Sequence, residues 1–141
     1  MKECDVIIAP MKHNIAHTKA RKEAQQQGAR VLVLPESDED ILLSSGLQAD
    51  FLALKPKIET MADILTNGKT ARVTTEKGTD ITMSLEGREG RALTGFANDK
   101  DISAAHCVEA SIAPLEGKAN GTIIVDGSIP GLGLVNEPVT V

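Results

Sequence analysis

Two short apolar runs, "DVIIA" at residues 5–9 and "RVLVLP" at 30–35, are separated by "HTKARKEAQQQG", a segment with the length and punctuation of one helix. Thr18 can cap the start of that helix through its hydroxyl, and Gly28 can end it in a left-handed conformation. The runs are rich in Val, Ile and Leu, and each is closed by a proline, Pro10 or Pro35, as suits a buried strand. Strand, helix and strand in such close succession predict a right-handed βαβ unit with its two strands parallel.

Further along, "SDEDILLSSG" predicts a short helix with Ser37 as its N-cap, acids in its first turn to suit the helix dipole, and Gly46 as its stop. "KPKIETMADILTNG" predicts a longer helix with Pro56 in the first turn. Ile58, Met61, Ala62 and Leu65 fall on one core-facing stripe before Asn67 and Gly68. After Gly68 the period changes to two. "ARVTTEKGTDITMSLEG" predicts a hairpin around Lys77 and Gly78, with Ile81, Met83 and Leu85 on one face. "REGRALTGFANDKDIS" has no steady period and reads as a loop, "GSIPGLG" reads as a mobile loop, and "NEPVTV" starts a last strand pattern at Val139. The expected fold class is therefore α/β: an N-terminal βαβ-type module over residues 1–67, followed by a β-rich hairpin module over 68–141.

Composition narrows the partners. A chain of 141 residues can bury a sizeable core, and 41% hydrophobic with 25% charged residues is the balance of a globular domain. With two Phe and neither Tyr nor Trp, the core must be aliphatic, and stacking platforms for single-stranded nucleic acid are missing. A net charge of -5 argues against nucleic acid and anionic membranes as partners, because phosphate binding needs a concentrated basic surface. The two cysteines, Cys4 and Cys107, are too few for a disulfide framework and suit a reducing compartment, so a cytoplasmic location is expected. No apolar run approaches a membrane span, and the start of the chain does not read as a signal peptide.

The densest chemistry is "HCVEAS", which places His106, Cys107 and Glu109 within four residues. In an extended chain His106 and Cys107 point to opposite faces, which separates a thiolate nucleophile from its base. Cys107 and Glu109 share a face, and either can ligate a divalent ion. Two residues do not make a site, and the plain alternative is the wetter face of a strand. His13, His17, Lys19, Arg21 and Lys22 surround the start of the first helix, where a carboxylate or phosphate contact competes with a solvated basic face. The glycines of "GSIPGLG" lack the spacing of a dinucleotide loop, so no organic cofactor site is expected, and Asp126 reads as a turn residue.

Three blocks, "HTKARKEAQQQGARVLVLP", "RVTTEKGTDITMSLEGR" and "VEASIAPLEGKANGTIIVDGSI", occur in an order that resembles the metallo-aminopeptidases of the aminopeptidase T and aminopeptidase S, leucyl aminopeptidase-like, kind. The 2,5-dihydroxypyridine dioxygenases are a more distant resemblance. The first resemblance implies a two-metal hydrolase of zinc, cobalt or manganese acting on peptides, with homodimers in the family. Glu109, just before the Ala-Pro dipeptide, takes the place of one metal ligand. The second implies iron and a small-molecule substrate. In either case the further ligands, a second Glu, two His and an Asp in the aminopeptidases, would come from beyond a point matching Val141. The chain alone is therefore expected to be inactive, since one carboxylate cannot hold two ions. Three functions follow as expectations: a portion of an aminopeptidase-like hydrolase, a non-catalytic binding or assembly module on the same scaffold, or a fragment of a non-haem iron ring-cleaving dioxygenase.

Overall fold

The computed structural model describes residues 3–97, 103–104 and 108–141. In chain order the elements are β1 (Val6–Met11), α1 (Lys19–Gln26), β2 (Arg30–Pro35), α2 (Glu39–Leu42), a 3-10 turn (Ser45–Gln48) and α3 (Phe51–Asn67). Strands follow: β3 (Thr70–Thr74), β4 (Asp80–Ser84), β5 (Arg91–Leu93), β6 (Ser103–Ala104), β7 (Glu109–Ser111), β8 (Ala119–Thr122), β9 (Ile124–Val125), β10 (Ser128–Ile129), β11 (Gly133–Leu134) and β12 (Val139–Thr140). The chain is α/β, and it divides into two compact units: Met1–Asp63 with Arg91–Ser111, and Ile64–Gly90 with Ile112–Val141.

The first unit is built on the predicted βαβ. β1 and β2 are parallel, with Ile7 opposite Val31 and Ala9 opposite Val33, and β6 adds a third parallel strand beside β2. The Thr18 side chain accepts from the Arg21 N–H, as a cap should, and Gly28 turns out of α1 at φ 95°. Val31 and Val33 are fully buried and pack with Ala16, Ile7 and Ile15, each valine contributing about 2 kcal/mol by its removal from water. On α1, Arg21 is buried and its guanidinium donates to the Gln25 side chain one turn on, so it is not part of a solvated basic face.

Helix boundaries differ from expectation for local reasons. Asp38, not Ser37, caps α2 by accepting from the Ile41 N–H at 2.9 Å, because the Ser37 hydroxyl is already donated to the Leu34 carbonyl at 2.7 Å. Gly46 lies inside the 3-10 turn rather than ending a helix. α3 starts at Phe51, where Asp50 accepts from the Ala53 N–H at 3.0 Å, which leaves Pro56 inside the helix rather than in its first turn. The inward stripe of α3 runs through Phe51, Leu54, Ile58, Ala62 and Leu65, and Met61 is 54% exposed and not on it.

Two loop assignments are corrected by pairing between distant segments. Within "REGRALTGFANDKDIS", Arg91–Leu93 pairs antiparallel with β7 and Ser103–Ala104 joins β2. "GSIPGLG" is a tight hairpin of β10 and β11, turned at Gly131 with φ 85°.

The second unit carries the predicted hairpin. β3 and β4 pair with Val73 opposite Ile81, and Gly78 takes φ 107° in the connecting turn. β8 joins the other edge of β4, and β12 pairs antiparallel with β9. Leu85 is buried, at the end of the face that also bears Ile81 and Met83.

Candidate functional site

Glu109 opens β7 opposite Leu93, and its side chain is exposed. His106 and Cys107, the other members of the cluster, lie outside the described residues. Among the described residues no group of three or more His, Cys, Asp and Glu side chains lies close enough to hold a metal ion. Asp126 pairs with Lys77, Nζ to Oδ2, at 3.6 Å, tying the turn of the β3–β4 hairpin to the segment after β9.

Lys12, His13, Glu36 and Asp38 of the first unit meet elsewhere, at the carboxyl ends of β1 and β2. An open cleft of about 550 Å³ there is lined by Lys12, His13, Glu36, Ser37, Asp38 and Ile41. The strands create it. Their last register pair is Met11 with Pro35, so residues 12 and 36 leave the sheet side by side. Parallel α/β sheets bind ligands in the crevice outside their carboxyl ends, since the loops that diverge there leave space and free backbone groups. Glu36 turns the chain at φ 56°, a left-handed conformation that costs a non-glycine residue of order 1 kcal/mol. Of the basic group around α1, His13 lines this cleft, Lys19 pairs with Glu23 at 3.6 Å, and Arg21 is buried. The sequence signal that could have found the cleft was the pair of segments directly after the two prolines, "MKHN" and "ESD".

No helix among the described residues is long and apolar enough to cross a membrane. No curated protein and no solved structure matches the chain. One family model does, that of NicX, 2,5-dihydroxypyridine 5,6-dioxygenase, over residues 1–140. This overturns the leading resemblance: there is no support for an aminopeptidase, a hydrolase or a metalloprotease, and the zinc, cobalt or manganese pair expected with that resemblance loses its basis. The three motif blocks that suggested it occupy the βαβ unit, the β3–β4 hairpin and β7 to β10, where their residues make caps, turns and strand pairs. Matched over nearly its whole length, the chain belongs to the NicX family of 2,5-dihydroxypyridine 5,6-dioxygenases.

Proposed function

We propose that this chain supplies part of a non-haem iron dioxygenase that opens a dihydroxypyridine ring between C5 and C6. The observation that carries the reading is the family match over residues 1–140. In such a reaction both atoms of O2 enter the product and no external reductant is consumed: the C5–C6 bond breaks, the ring is the electron donor and O2 the acceptor.

The family implies iron, and the described residues taken alone do not fit it, because they bring together no group of three metal-ligating side chains. Glu109 is proposed as one carboxylate ligand, its exposed position on β7 leaving it accessible to an ion held with donors outside the described residues. The free, exposed thiol of Cys4 and the small number of cysteines support a cytoplasmic setting.

Oxygen uptake tests the function. The complete protein that contains this chain, loaded with Fe(II) under nitrogen and then given 2,5-dihydroxypyridine in aerated buffer, should consume one O2 for each ring lost. Uptake no faster than with Fe(II) and substrate alone overturns the reading. For Glu109 the readout is iron itself: Glu109→Gln should lower the iron retained after gel filtration, and an unchanged stoichiometry removes Glu109 from the ligand set.

A further inference from the structure

We propose that Asn120 is a modification site at which the chain reacts with itself: the backbone nitrogen of Gly121 closes on the Asn120 side-chain amide and converts the asparagine to aspartate or isoaspartate. Neither iron nor a ring substrate takes part, so the site stands apart from the dioxygenase reading.

Asparagine followed by glycine is the dipeptide in which this cyclisation is least hindered, because no side chain shields the attacking nitrogen. The sequence contains it twice, at Asn67–Gly68 and Asn120–Gly121, and both asparagines are exposed. What separates them is the bonding of the glycine nitrogen. Gly68 follows α3 with its N–H donated to the Ile64 and Leu65 carbonyls, at 3.0 and 3.3 Å. At the other site the strand register decides. The Ser84 N–H donates to the Lys118 carbonyl at 3.0 Å, and antiparallel bonding alternates from there, so Asn120 and Thr122 bond to Thr82 and Asp80 of β4. Gly121, between them, forms a non-bonded pair with Ile81, and its N–H points away from β4 at the edge of the β3-β4-β8 sheet. Among the described residues nothing accepts from it. Ring closure requires the Asn120–Gly121 peptide plane to turn, and an edge strand bonded on one side permits this by local fraying.

The reaction consumes only water. The Gly121 nitrogen gives up its proton and bonds to Cγ of Asn120, the side-chain amide leaves as ammonia, and a succinimide remains. Water then opens one or other of its carbonyls, giving aspartate or isoaspartate. Either product adds a negative charge. The isoaspartate also lengthens the main chain of β8 by one carbon just before Gly121, where the strands run so close that a Cβ would stand 2.6 Å from the Ile81 Cα. The ladder with β4 then loses its register at this point.

The test is peptide mapping by mass spectrometry of the folded protein aged in mildly alkaline buffer, which reads the replacement of side-chain amide by carboxyl at each asparagine. Asn120 should convert about tenfold faster than Asn67, the worth of the hydrogen bonding that Gly68 must first open. In concentrated urea, where neither strand nor helix holds, the two rates should converge. Asn120→Gln, whose longer side chain cyclises far more slowly, should fold as judged by circular dichroism and stay unmodified at that position. In the isoaspartyl fraction, separated by ion exchange, amide exchange should quicken at Thr82, whose N–H faces β8, and not at Ile81, whose N–H faces β3. Equal rates at the two asparagines in the folded protein, or a rate at Asn120 that rises on unfolding as much as that at Asn67, overturn the site. Unchanged exchange at Thr82 in the isoaspartyl fraction overturns the loss of register.

Discussion

Gly121 of β8 lies directly opposite Ile81 of β4, so close that a Cβ on it would stand 2.6 Å from the Ile81 Cα and closer still to the Asp80 carbonyl oxygen. Its φ of 141° is also one that side chains rarely adopt. Neither obstacle is the movable end of a side chain, so the strands themselves would have to separate. Gly121→Ala should therefore cost about 2–4 kcal/mol, read as a lower urea midpoint at unchanged slope. Gly117→Ala is the control: its φ is 67° but nothing lies within 4 Å, so only the backbone cost of about 1 kcal/mol applies. Equal losses in the two variants would show that the close approach contributes nothing.

Thr79, buried at the end of the β3–β4 turn, accepts from the Ile124 N–H at 2.9 Å and so joins segments 45 residues apart. Thr79→Val keeps the shape but leaves the Ile124 N–H without this acceptor, at a cost of about 1–3 kcal/mol. Thr79→Ser keeps the oxygen and should lose less than 1 kcal/mol, the worth of roughly one methyl group. Amide hydrogen exchange at Ile124 distinguishes them: it should quicken in the valine variant only.

These two contacts also explain what the sequence could and could not reveal. The βαβ unit was legible because its signals are local: a Val and Leu run, a threonine cap and a glycine stop act within one helical turn. The β3–β4 hairpin was legible for the same reason, through Gly78. β5 was not, since "RAL" is a strand only because β7 lies alongside, and α3 starts before Pro56 because Asp50 caps it through the Ala53 N–H. The family was misjudged on similar grounds. Gly78, Thr79 and Gly121 lie within the quoted motif blocks, yet their work is to turn the chain and let strands approach, which many chemistries can share. The cleft of Lys12 and Glu36 has no local signal, because its two halves lie far apart in the sequence and meet only when β1 and β2 pair.

Arg72 grips Asp80 across the hairpin with two parallel bonds, Nε to Oδ1 at 2.8 Å and Nη2 to Oδ2 at 2.7 Å. The hydrogen bonds from Arg72 hold the Asp80 carboxyl below its ordinary 3.8. A carboxyl depressed in the folded state contributes stability that is present above its unfolded value and is lost as pH falls through the folded one. The Arg72 guanidinium, raised by the same contact, stays charged throughout and adds no pH dependence. Glu116, lowered first by a bond from its own backbone and then by the charge of Arg88, acts in the same direction as Asp80. Stability should thus decline as pH drops below about 3.8, and less steeply in Asp80→Asn. Both partners are exposed, so 1 M salt should shrink the difference between variant and wild type by screening. Parallel acid limbs in low salt would assign the acid sensitivity to other groups.

Glu36 is the one non-glycine residue at positive φ among the described residues, and it lines the cleft at the carboxyl ends of β1 and β2. Glu36→Gly relieves the backbone strain, less the entropy the glycine adds to the unfolded chain, and should stabilise the protein by up to about 1 kcal/mol, or about 3 °C in Tm. Glu36→Val provides the opposite extreme: a β-branched side chain in a left-handed turn adds strain, so stability should fall. Thermal melts on the three proteins decide the matter. A glycine variant no more stable than wild type would show that the left-handed turn stores no strain.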